Sequence, residues 1–196
     1  MQKTILLIAI SFLCLFNSLK AQNEIRNGIF LYGKLENSIH GNVLVAYKID
    51  DPESEAIILD KMEKSNIALF SYHDFFFPGV HYEISEVDSL IKEKNIETII
   101  YVTLKDLNSH TEINMTSFYS KLLDMSITNG RSNKVLDNLT LVFEIHSKSN
   151  NFKNPIAMLH VTGSNNWGHL GTFQGTLYRT MKTIMKTLNE EGAFGG

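Results

Sequence analysis

Residues 163–172, Gly-Ser-Asn-Asn-Trp-Gly-His-Leu-Gly-Thr, gather the side chains best suited to hold a small ligand. Ser164, Asn165, Asn166, Trp167, His169 and Thr172 offer hydroxyls, amides, an indole and an imidazole in one loop. Gly163 and Gly168 stand at the spacing of a phosphate-binding loop. His169 replaces its lysine, however, and Leu170 replaces the hydroxyl residue that would hold magnesium, so a nucleotide-phosphate loop is excluded. What remains is an anion held by free amides at a helix start, with His169 beside it. The competing reading is a plain strand-to-helix turn with Trp167 as its anchor.

The other chemical groups are more scattered. Seven histidines stand at 40, 73, 81, 110, 146, 160 and 169, and none forms a His-x-His or His-Glu-x-x-His pattern. His146 and His160 fall on strands that can meet across a hairpin, and His73 and His81 flank one loop. Either pair needs a carboxylate such as Asp74 to make a zinc site, and separate surface or core histidines are the simpler reading. Ser71, Ser117 and Ser164 lack a nucleophile elbow. No cofactor is implied, and no catalytic cluster appears.

A third group is suited to contact rather than chemistry. Phe75, Phe76, Phe77 and Pro78 lie in one loop with Tyr72 and Tyr82. Three adjacent rings cannot all enter one core from an extended loop, so at least one should meet solvent and mark a contact surface. The alternative is a loop folded back on a helix with a single ring exposed. Arg179, Lys182 and Lys186 form a basic stripe for an acidic partner, an anionic lipid or simply water. Asn114-Met115-Thr116 and Asn138-Leu139-Thr140 match the glycosylation pattern, which carries no meaning if the source is bacterial.

The elements that must position these groups alternate at first. Residues 42–49 read as a strand. Asp51-Pro52-Glu53 starts a helix whose Ile58, Leu59 and Met62 face inward. Residues 67–71 make a second strand, and Ser85 with Asp88 resembles a capping box opening a second helix. Residues 96–104 form a strand apolar on both faces, hence central. This β-α-β-α-β order predicts a parallel sheet with helices packed on it. In the second half, 135–147 and 156–162 alternate as antiparallel strands joined by a turn at Asn150-Asn151, with a further strand near 111–119. Ile29–Tyr32 reads as an edge strand or docked arm. Phe173, Leu177, Met181, Ile184, Met185 and Leu188 give a C-terminal amphipathic helix packed on the sheet, followed by a loose glycine tail. The fold class expected is therefore α/β (α+β), with its core at about 42–190.

Lys3, the uncharged run of residues 4–16 and the break at Asn17-Ser18 have the layout of a secretory signal peptide, with cleavage expected after Ala21. The run is too short to span a bilayer, which needs about 20 apolar residues. Cys14 follows Leu13 inside the run, so it does not read as a lipidation site. The expectation is a signal peptide at 1–21, a single domain at 22–196, and a periplasmic or secreted protein with no transmembrane segment after cleavage. Without residues 1–21 the chain holds 16 basic and 21 acidic residues, a net charge of −5. That balance argues against nucleic acid as a partner. Cys14 is the only cysteine, so disulfides, thiol catalysis and cysteine-zinc sites are excluded from the mature chain.

The stretch from NVLVAYKIDDPESE through IALFSYHDFFFPGVHYEISEVDSLIKEKNIETIIYVTL resembles a group of small bacterial envelope proteins, many of them lipoproteins. The resemblance covers about residues 42–188. The group's fold is similar to the amino-terminal domain of TolB, to CsgG and to LpoB. Glu97 and Thr98 depart from its usual strand pattern, and the lipidated cysteine is missing. The resemblance implies a binding or assembly role in the envelope, with an unidentified envelope protein as partner and no known catalysis. Two readings follow. One is a non-catalytic domain that binds through Tyr72, Phe75, Phe76, Phe77 and Tyr82. The other is a small-molecule or anion-binding domain, or a hydrolase, centred on 163–172.

Overall fold

The structure is a computed structural model that describes residues 23–47, 52–63, 67–77, 80–105, 138–164 and 173–194. Among the described residues, seven strands form one mixed sheet: β1 (Asn23–Arg26), β2 (Ile29–Gly33), β3 (Asn42–Tyr47), β4 (Ala68–Ser71), β5 (Ile96–Lys105), β6 (Asn138–Ser147) and β7 (Pro155–Ser164). The helices are α1 (Pro52–Glu63), α2 (Ile84–Glu93) and α3 (Phe173–Glu190). The strand order is β1-β2-β7-β6-β5-β3-β4.

The expected parallel unit is present. β3 pairs in parallel with both β4 and β5. The chain runs from β3 out to the edge strand β4 and then back past β3 to β5. Crossovers of one hand in opposite directions must place their helices on opposite faces. Accordingly, Ile58 and Met62 of α1 share one core with Val43, Val45, Ile100 and Phe143. Val87 and Ile91 of α2 share another with Leu44, Ala46, Ile99 and Tyr101. Alternation along each strand explains why Leu44 and Val45 belong to different layers. Both faces of β3 and β5 are therefore covered, which is why their sequences are apolar throughout.

The antiparallel half also follows the expectation. β5 pairs with β6, β6 with β7 and β7 with β2, and β1 closes that edge by a hairpin. Asn151 and Phe152 take left-handed conformations in the β6–β7 turn. Asparagine adopts that region readily, and burial at 4 % exposure holds Phe152 there. α3 lies on the same face as α1. Leu177, Met181, Ile184, Met185 and Leu188 enter the larger core with Leu141, Leu159 and Val161.

Three local expectations are corrected. Ile29–Gly33 is neither an edge strand nor a docked arm, because β1 pairs with its outer side and β7 with its inner side. Glu83, not Ser85, caps α2: its side chain and that of Glu86 make the reciprocal capping box, with Glu83 N donating to Glu86 Oε2 at 2.7 Å. The chain after α3 is docked rather than loose as far as Phe194. Gly192 turns with φ 65°, Ala193 N donates to Leu188 O at 2.8 Å, and Ile39 pairs with Phe194. The strand expected near 111–119 lies outside the described residues. Among those described, no helix is long and apolar enough to cross a membrane.

Candidate functional site: an aromatic turn and an acidic groove

Ser71 ends β4 and starts a tight turn. Its Oγ accepts a hydrogen bond from His73 N at 3.2 Å, and the amides of Phe75 and Phe76 donate to Tyr72 O at 3.2 and 3.0 Å. This turn separates the three phenylalanines. Phe76 points inward at 5 % exposure, stacked on Tyr72 at 4.7 Å and edge-on to Tyr82 at 4.8 Å. Phe75 is half-buried against Phe70. Phe77 points outward at 70 % exposure, while Tyr82 Oη accepts from its amide at 2.9 Å. Burial, with a smaller contribution from the neighbouring Tyr82, pushes the Tyr72 hydroxyl up to about 12. Tyr72 therefore acts as a neutral packing group.

The five aromatic residues singled out in the sequence are thus brought together, but only Phe77 is presented to solvent. Val80, whose amide donates to Phe77 O at 3.3 Å, and Ile84 at the start of α2 are also exposed, at 46 % and 48 %. Beside it, Phe75, Phe76 and Leu90 line an open groove of about 440 Å³ whose edge carries Ser85, Glu86, Ser89 and Glu93. Both titratable residues in that lining are carboxylates. Glu86 accepts the Glu83 amide, and Glu93 lies 2.9 Å from Lys94 Nζ.

A second constellation lies behind the turn. Glu55 Oε1 accepts from Ser71 Oγ, and Glu55 Oε2 lies 2.5 Å from His73 Nδ1. Burial pushes the Glu55 carboxyl up, but the bonds from His73 and Ser71 and the charge of His73 outweigh it, so the group sits below its ordinary value. Serine and histidine here both bind one carboxylate. A nucleophilic relay needs the histidine between serine and acid, so this arrangement is a tether between α1 and the aromatic turn. Spacing in sequence hid it. The β-α-β geometry exposes it, because the start of α1 and the end of β4 share one end of a parallel unit.

The histidine pairings are not those needed for zinc. His146 lies opposite Pro155 and His160 opposite Val142. His146 Nε2 is 3.3 Å from Glu144 Oε2. His160 packs on Tyr32 at 5.1 Å. Burial first, and then Lys105, push it down to about 4 despite the opposing effect of Glu144. His73 is held by Glu55, whereas His81 is exposed near Glu83. Among the described residues, no three His, Cys, Asp or Glu side chains group to hold a metal.

Of the loop at 163–172, Gly163 and the backbone of Ser164 end β7, where Ser164 pairs with Asn138. Asn165, Asn166, Trp167, His169 and Thr172 lie outside the described residues.

Fold and groove together define a mixed-sheet α/β domain with an aromatic, acid-edged groove beside its parallel unit. No family model matches the chain, and no curated protein matches it. Among solved structures it is similar to a point variant of the PelC dodecamer from Paraburkholderia phytofirmans, with a TM-score of 0.46 and 10 % identity over 82 % of this chain and 97 % of that one. A second crystal form of the PelC dodecamer gives 0.44 and 8 % over 86 % and 98 %. Likeness at this level assigns neither activity nor partner.

Proposed function

We propose that this chain is an exported envelope protein that works by binding a protein partner and catalyses nothing. One observation carries the reading. Of the four exposed large apolar side chains among the described residues, Phe77, Val80 and Ile84 fall within a single eight-residue stretch, beside the groove. Scattered apolar residues on a surface need no explanation, but clustered ones beside a concavity mark a contact site. The signal-like amino terminus supports export, and the sequence resemblance to envelope proteins supports an assembly role.

The test is affinity capture from the native envelope with Phe77→Ser and Val80→Ser variants. Both residues are exposed, so the fold should survive the changes. Loss of a reproducibly captured protein is the expected result. Unchanged capture would remove this surface from the account. Phe76, though adjacent, is the wrong position to change, because its ring belongs to the core and its loss would unfold the turn. Ligand binding centred on 163–172 remains the alternative proposal, tested by His169→Ala. Ligand binding that survives this change would end the role given to that imidazole.

A further inference from the structure

We infer that the groove edged by Glu86 and Glu93 takes the outer face of α3 from a second copy of this chain. The inference rests on the partner-binding reading and names the partner. The fourth exposed apolar residue, Tyr178, stands on α3 at 46 % exposure, beside the exposed Arg179, Lys182 and Lys186. This surface matches the groove in chemistry and in spacing. Glu86 and Glu93 are seven residues apart on α2, as are Arg179 and Lys186 on α3. Two helical turns, a rise of about 10.5 Å, separate each pair. When the helices lie side by side, both carboxylates meet cations in one register, and Tyr178 falls one residue beyond the paired span, at an end of the groove-lining helix.

The groups involved already make exposed pairs: Glu93 lies 2.9 Å from Lys94 Nζ, so an incoming cation competes with Lys94 there. Lys61 Nζ lies on the Tyr178 ring at 3.7 Å, steadying the ring while leaving it partly exposed. Lys186 is 3.9 Å from Glu190, an exposed and weak pair. The two surfaces belong to different layers, because α2 and α3 cover opposite faces of the sheet. One copy therefore offers a groove and a helix to two different neighbours. Contacts of this head-to-tail kind build rings or open chains rather than closed dimers.

The protein, expressed from its full-length sequence, should be followed by sedimentation velocity over rising concentration at low and high salt. Association that weakens with salt is expected. Glu86→Lys with Glu93→Lys should weaken it at least about a hundredfold, as should Arg179→Glu with Lys186→Glu, because each juxtaposes like charges. Mixing the two variants should restore association, since each then meets its complement. A cooperative thermal transition in each variant would show that both fold, with the Glu86→Lys pair melting somewhat lower because it loses the capping-box carboxylate. A wild-type chain that stays monomeric at its highest soluble concentration would overturn the inference, as would association that persists in either variant. Capture of a different protein through Phe77 in those cases would leave the partner-binding reading standing. No captured protein and no self-association would remove both.

Discussion

At the scale of single residues, neighbours in sequence have opposite roles. Phe76→Ala should cost about 3–5 kcal/mol, since it removes a buried ring, whereas Phe77→Ala should change stability by less than about 0.5 kcal/mol. Chemical denaturation of the two variants checks this contrast. The sequence showed that three consecutive rings could not all be buried. It did not show which would be exposed, because the tight turn at Tyr72 decides the direction of each. Glu55 carries a second prediction. Its carboxyl is lowered in the fold, so its contribution is present above the ordinary carboxyl range and lost as pH falls through the lower folded value. Glu55→Gln should cost about 1–3 kcal/mol at neutral pH and flatten the stability profile in that acidic window. His160 acts earlier on acidification. Its folded value near 4 means that the unfolded chain takes up the proton first, so stability falls between about pH 6.5 and 4. An NMR titration of the imidazole should show it neutral through most of that range and protonating only near its lower end.

At the scale of elements, helix and strand assignments follow from periodicity where one face is apolar. α3 shows this best. Leu177, Met181, Ile184 and Leu188 were readable as its buried stripe, and all four are fully buried. The β-α-β-α-β order was readable for the same reason, and it fixed which ends of β3, β4 and β5 lie together. Caps and termini were less legible. A glutamate can cap as Glu83 does, but serine at position 85 gives the stronger local signal. Docking of Ala193 depends on the loop before β3, a long-range contact that no window of sequence contains. Packing between elements supplies another test. A Cβ on Gly163 would overlap Thr180 Oγ1, so β7 meets α3 there without space to spare. Gly163→Ala should destabilise by about 1–3 kcal/mol. Adding Thr180→Ala should recover part of that loss, and a double-mutant cycle would read the coupling.

At the scale of the whole molecule, the helical layers differ in charge and in what they expose. The α2 side presents carboxylates beside Phe77, Val80 and Ile84, and the α3 side presents Tyr178 among cations. Sequence alone located the aromatic loop and the basic stripe. It did not show the groove, which exists only once α2 folds over the turn after β4. The central claim is that the surface around Phe77 meets a protein partner. Its most direct test places a photo-crosslinking amino acid at position 77, and as a control at the exposed Lys153, in the protein expressed in its own envelope. The account predicts a discrete protein adduct from position 77 and none from 153. No adduct at 77, or the same products from both positions, would contradict it.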